Sequence, residues 1–285
     1  MILNASGCLD AVAAPEVARQ LDAYVTKTVT PLPREGNAPV RIAETDTGML
    51  NSIGLANPGI SHFRETLPRF AELGIPIWVS VGGFCAEDYA DLCAQLDSEP
   101  VVDTIELNLS CPNVDAPKAG IAEIVAAARE ATSKPLYAKL SPALPDIGAA
   151  AASAAAAGAD GLSLVNTLRG MALDPGTLEP RLSTGAGGLS GPPLRPVALA
   201  AVYAVYGATS LPLVGMGGVE TGSHALDLIA AGASSVALGT VLFADPAAPT
   251  RIRAELAAEA AARGLASAFT ARGRAHELVD ASVGC

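Results

Sequence analysis

The feature that most constrains the fold of this chain is a rhythm. Eight short apolar runs recur: MILNAS (1–6), AYVTKTV (23–29), PIWVSV (76–81), TIELNLS (104–110), LYAKLS (136–141), GLSLVNT (161–167), LPLVGMGG (211–218) and SVALGTVLF (235–243). Runs that are nearly continuous in Val, Ile and Leu are what strands buried on both faces look like. Helix-patterned segments lie between most of them, at about 15–23, 64–73, 86–97, 120–132, 145–157, 195–207, 222–231 and 247–263. The plainest is DIGAAAASAAAAGADG (146–161), a helix of small residues closed by Gly158 and Gly161. Eight β–α alternations favour an α/β fold of the (β/α)8 TIM-barrel type over an open doubly wound sheet.

The chain has 285 residues, which suits one barrel domain (1–285), since such barrels use roughly 200–250 residues or more as a single unit. Two Pro/Gly-rich stretches, 30–60 and 168–194, are too long for simple connections and are expected to form lids or small hairpins on the rim. No run approaches the ~18 uninterrupted apolar residues of a membrane span, and the beginning MILNASGCLD lacks the basic and apolar regions of a signal peptide, so a cytoplasmic protein is expected. A formal net charge of −11 without any Lys/Arg cluster argues against a nucleic-acid or anionic-membrane surface. Five cysteines (Cys8, Cys85, Cys93, Cys111, Cys285) without CxxC, and three histidines far apart in sequence, indicate neither a metal site nor a disulfide framework.

Barrel chemistry sits at the C-terminal ends of strands. Those ends present Asn4 and Ser6, Lys27 and Thr28, Ser80, Asn108 and Cys111, Lys139, Asn166 and Thr167, Gly217 and Gly218, and Gly239 and Thr240. Only four lysines exist, and two of them end apolar strands, where desolvating an ammonium is costly unless it is paired. A lysine that merely snorkels to solvent is the bland alternative. GMGGV (215–219) and LGT (238–240) follow the last two apolar strands, where barrels commonly hold phosphate with backbone N–H groups, and GxGxxG is absent. In NLSCPN (108–113) a cysteine stands between two asparagines beside a proline. A buried structural thiol is the ordinary reading of a lone Cys, and these polar neighbours do not suit it.

The ordered set NASG (4–7), TKTVTPLPREGN (26–37), MLNSIGLANPG (49–59), ELNLSCPN (106–113), KLSP (139–142), NTLRGMALD (166–174), GGLSGPPLRPVAL (187–199) and GMGGVETG (215–222) resembles class 1 dihydroorotate dehydrogenases, FMN-containing barrels of pyrimidine synthesis. NTLRGMA and GGLSGP look most like the B-type branch, whose members work with an iron–sulfur and FAD-bearing subunit that exchanges electrons with NAD. The resemblance implies FMN contacts at Ser6, Lys27, Thr28, Ser80, Asn108, Lys139, Val165, Gly191, Gly217, Gly218, Gly239 and Thr240. It implies pyrimidine contacts at Lys27, Asn51, Ser52, Ile53, Gly54, Leu55, Asn108, Asn113, Asn166 and Thr167, with Cys111 as catalytic base. It also implies a homodimer, or a heterotetramer with the electron-transfer subunit.

Residue chemistry agrees with that implication. Dihydroorotate carries an amide-like ring and a carboxylate, so it asks for neutral amides and a cation, and five of the seven asparagines (Asn4, Asn51, Asn108, Asn113, Asn166) fall in rim segments. A thiol of pKa ~8.5 suits proton removal near neutral pH. After NLSCPNV the chain has only DAPKAG before the next helix, shorter than the substrate-covering loop of B-type relatives. A dihydropyrimidine dehydrogenase-like enzyme would have His where Asn113 stands, a tRNA-directed dihydrouridine synthase would need a basic surface, and a non-catalytic barrel subunit would have no use for both lysines and the cysteine.

Overall fold

The computed structural model describes residues 1–109 and 119–280. Its strands in chain order are β1 (Ile2–Asn4), β2 (Tyr24–Val25), β3 (Ile42–Thr45), β4 (Gly48–Asn51), β5 (Ile77–Val81), β6 (Thr104–Asn108), β7 (Leu136–Leu140), β8 (Gly161–Leu164), β9 (Leu168–Met171), β10 (Ala186–Ser190), β11 (Leu213–Met216) and β12 (Ser235–Leu238). Every one of the eight apolar runs contains a strand of one parallel sheet, in the order β1-β12-β11-β8-β7-β6-β5-β2. A parallel bridge between Leu3 and Ala23 closes the ring, giving a (β/α)8 barrel.

Strand alternation divides the core into two layers. Residues such as Ile77, Val79, Ile105, Leu107, Leu136 and Leu162 face outward and bury against the helices. Leu3, Val25, Trp78, Val214, Met216 and Ala237 fill the barrel interior, with the Trp78 and Tyr137 rings 4.5 Å apart. Gly161 belongs to β8 rather than to the preceding helix. A Cβ there would lie 2.2 Å from the Tyr137 ring, so the tyrosine occupies the space that a side chain would need. Asp146 caps the alanine-rich helix Ile147–Ala156 by accepting from the Ala149 amide at 2.8 Å, and Gly158 ends it at φ +103°.

Other boundaries moved for local reasons. The helix expected over 15–23 is a single turn, Pro15–Ala18, and the one expected at 64 begins at Gly59, because Asn57 Oδ1 accepts from the Gly59 amide and sets its first turn. The last apolar run stops as a strand at Leu238, and a short helix, Val241–Ala244, follows. The two rim stretches form one structure: β3, β4, β10 and β9 make a four-stranded antiparallel sheet, in which β4 from the first stretch pairs with β10 from the second.

Candidate active site

The C-terminal strand ends and the rim sheet enclose a cavity of about 300 Å³. Lys27, Thr28 and Ser6 reach it from the first two strands, Asn108 and Lys139 from β6 and β7, and Val165, Asn166 and Thr167 from the end of β8. Gly217 and Gly218 follow β11, Gly239 and Thr240 follow β12, and Gly191 follows β10. Asn51, Ile53, Gly54 and Leu55 close the opposite wall. Cys111 and Asn113 lie outside the described residues.

A polar network fixes these groups. Thr28 Oγ1 lies 3.2 Å from Ser6 Oγ and 3.0 Å from Ser80 Oγ, and accepts from Asn108 Nδ2 at 3.2 Å. Asn108 Oδ1 accepts from Asn166 Nδ2 at 3.3 Å, and the Asn108 carbonyl accepts from the Tyr89 hydroxyl at 2.8 Å. The strand end that leads to Cys111 is therefore anchored on both its side chain and its backbone. Ser80 and Ser52 stand one layer behind the cavity wall. Ser80 is wholly buried against Thr28, and Ser52 Oγ accepts from Asn37 Nδ2 at 2.8 Å and from Thr184 Oγ1 at 2.6 Å, holding the segment that carries Gly54 and Leu55. Leu55 adopts φ +58°, an unusual backbone for a branched side chain, and Asn57 Nδ2 donates to its carbonyl at 2.7 Å. Asn4 faces away from the cavity, bonding the amide and carbonyl of Val25 and so tying β1 to β2.

Two of the four lysines line the cavity of this acidic protein, together with one carboxylate, Glu220. Lys139 does not end its strand. It sits within β7 with its side chain 7% exposed, and its Nζ is 3.9 Å from Glu106 Oε1. Lys27 passes over Gly7, which has φ +79°; a Cβ there would lie 3.0 Å from Lys27 Cδ. Sequence reasoning did not single out Gly7, Cys8, Ser190 or Phe243, which also line the cavity, nor Glu106 beneath it. Glu106 had a visible signal: it is a charged residue in phase with Asn108 along an apolar strand. Burial pushes the Cys8 thiol above its ordinary value, against the pull of Lys139 and Lys27.

The glycines at the far end fit a phosphate-bearing cofactor. Gly217 and Gly218 have φ +130° and +67°; a Cβ on Gly217 would lie 2.7 Å from Ala198 Cβ, and one on Gly218 would lie 2.8 Å from Arg195 Cβ and the Gly191 carbonyl. At Gly239 the nearest atoms to a Cβ would be Ala5 Cβ and Cys8 Sγ, both at 3.7 Å. At these three positions bare backbone lines the cavity, and at Gly217 and Gly218 the close approach of Ala198 and Arg195 leaves no room for a side chain. Among the described residues no cluster of His, Cys, Asp and Glu could hold a metal ion, and Cys8, Cys85 and Cys93 are free thiols.

The sequence profile of the family described as Dihydroorotate dehydrogenase matches residues 1–259. The chain is 47% identical over 244 residues to "Dihydroorotate dehydrogenase B (NAD(+)), catalytic subunit" of Desulforudis audaxviator, covering 83% of this chain and 80% of that protein. Proteins of the same name from Listeria monocytogenes and Anoxybacillus flavithermus are each 42% identical, with 87% and 90% of this chain covered and 84% and 86% of theirs. The fold matches a crystal structure of DHODH from Eimeria tenella in complex with ferulenol, with a TM-score of 0.80 at 24% identity, over 96% of this chain and 85% of that one. With the profile spanning most of the barrel and relatives above 40% identity along it, the chain belongs to the dihydroorotate dehydrogenase family of flavoenzymes, in the class 1 B-type branch of catalytic subunits.

Proposed function

We propose that this chain oxidises (S)-dihydroorotate to orotate in de novo pyrimidine synthesis, with FMN as its flavin and Cys111 as its base. The observation that carries the reading is one cavity holding two lysines, three asparagines and a side-chain-free glycine cradle. FMN, when bound, supplies an acceptor for the hydride leaving ring carbon C6. The amides after β11 and β12 would hold its phosphate, and Lys139, Ser6, Thr28 and Asn108 its ring system. Asn51, Asn108, Asn166 and Thr167 present neutral amide and hydroxyl groups to the pyrimidine, and Lys27 offers a cation for its carboxylate. Cys111, as thiolate, takes the C5 proton from the ring face opposite the flavin. Loss of one proton and one hydride leaves the C5–C6 double bond of orotate. Asn113 would join the substrate contacts.

The relatives' designation as a catalytic subunit that uses NAD(+) supports a second, electron-carrying subunit for this chain, with iron–sulfur and FAD groups to carry electrons from FMN. A homodimer of this chain at the centre of a heterotetramer accommodates it. No described helix is long and apolar enough to cross a membrane.

Purified protein should be yellow with stoichiometric FMN and should bleach on anaerobic mixing with dihydroorotate. Cys111→Ala should keep the flavin and still bind orotate, seen as a change in the flavin spectrum, while reduction slows by ~10²–10⁴, the usual worth of a positioned base. Protein that stays colourless with added FMN, or a Cys111→Ala variant that reduces its flavin at the wild-type rate, would contradict the respective assignment.

A further inference from the structure

We propose that Glu106 is a positioning residue that sets the redox balance of the flavin through Lys139. The inference rests on the flavin reading above. Three neighbouring strands each send one polar side chain into the barrel interior, Glu106 from β6, Lys139 from β7 and Ser163 from β8; Lys139 is in register with Ser163, whereas Glu106 is in register with Tyr137, two residues before Lys139. Glu106 is 1% exposed and Ser163 is wholly buried. Glu106 Oε2 accepts from Ser163 Oγ at 2.8 Å; Oε1 has no hydrogen-bond partner and stands 3.9 Å from Lys139 Nζ.

This arrangement is costly for folding alone. A buried carboxylate with one oxygen unsatisfied and its cation beyond hydrogen-bond distance does not recover its desolvation, and apolar replacements of a buried pair are often neutral or stabilising. Leu3, Val25, Trp78, Val214, Met216 and Ala237 fill much of the interior, and its other buried polar side chains, such as Ser80, Thr104 and Ser235, are neutral hydroxyls, so the barrel has a cheaper filling available than a charged pair. Lys139 itself lines the cavity, whereas Glu106 does not. A positive charge on the wall is thus backed by a negative charge one layer deeper. The cation favours the added negative charge of a reduced flavin, and the carboxylate behind it offsets part of that pull while holding the ammonium toward the barrel axis. Across a protein interior of effective dielectric ~20, a unit charge changes an equilibrium by about tenfold out to roughly 12 Å.

The test is the midpoint potential of the bound flavin, measured anaerobically by dye equilibration on the holoprotein. Glu106→Gln keeps the size of the side chain and can still accept from Ser163, but removes the charge. The oxidised–reduced equilibrium should move toward the reduced flavin by about tenfold, a rise of ~30 mV for a two-electron couple. Glu106→Asp, which keeps the charge, should stay within threefold of wild type. An unchanged potential in Glu106→Gln, or an equal shift in Glu106→Asp, overturns the proposal. Should Glu106→Gln fail to fold, the infrared difference spectrum between oxidised and reduced wild-type holoprotein decides: a perturbed carboxylate stretch is expected, and its absence overturns the idea. Wild-type protein that binds no flavin would instead overturn the cofactor reading.

Discussion

Asn108 is the residue on which the site turns, because it joins the Thr28 hydroxyl, Asn166 and the Tyr89 hydroxyl at the point where β6 leads toward Cys111. Asn108→Ala removes both side-chain bonds, to Thr28 and to Asn166, each worth about 0.5–1.5 kcal/mol. Orotate affinity should therefore fall by at least roughly tenfold in a flavin-perturbation titration, accompanied by weaker FMN retention on gel filtration. A smaller effect on both would make the asparagine a bystander. At Cys93, burial pushes the thiol up to about 12, so alkylation at about pH 8 should leave it unmodified in the native protein and reach it only after unfolding, as read by mass spectrometry. Most cavity residues were legible because each falls in a short quoted motif. Glu106 also lies in such a motif and in phase with Asn108, but its pairing was not legible, because the partners Lys139 and Ser163 come from other strands of the barrel.

At the scale of elements, hydrophobic periodicity marked all eight barrel strands, since each is buried on both faces and leaves a continuous apolar run. The rim sheet was not legible. Pairing of β4 with β10 joins residues 49–51 to 188–190, and no local pattern encodes a contact across so long a separation. The short helix Val241–Ala244 was hidden because an apolar run does not reveal its period over four residues. Two predictions belong here. Gly217→Ala places a Cβ against Ala198 and Leu194 at a left-handed backbone, so it should cost ~1–3 kcal/mol in urea unfolding and release flavin at the same time. Asp22 ties the barrel's opening strand to the helix Ala248–Ala262, accepting from the Ile2 amide at 2.7 Å and from Arg253 at 2.9 Å. Burial raises its carboxyl, but the Arg253 and Ile2 hydrogen bonds outweigh that and hold it below the usual value. A depressed carboxylate stabilises the fold above pH ~3.9 and loses that contribution as pH falls through the folded value. Asp22→Asn should thus be less stable than wild type at pH 6 by about 1 kcal/mol or less, given solvent screening, and the difference should shrink as pH falls below the ordinary carboxylate range and through the depressed folded value.

The whole molecule is acidic while two of its four lysines line the cavity, so an anionic ligand there would be held by individually placed groups rather than by a general field. Over the described residues the polar groups that line the cavity are gathered at one barrel mouth under the rim sheet, and the sequence offers no GxGxxG stretch for a nicotinamide nucleotide. In the arrangement proposed from the relatives' designation as catalytic subunits, electrons pass from the flavin to NAD through a carrier outside this chain. Two rates should separate as a result. Flavin reduction by dihydroorotate, followed in a stopped-flow spectrometer, should be fast in the isolated holoprotein, whereas steady-state NADH formation should be slower by at least ~10² and recover only when the electron-carrying subunit is supplied, because a reaction divided between two sites proceeds no faster than its missing half. Equal rates with the isolated chain would put an acceptor site within it and remove the need for a partner, and rapid turnover with fumarate alone would assign it the acceptor chemistry of the A-type homodimers instead.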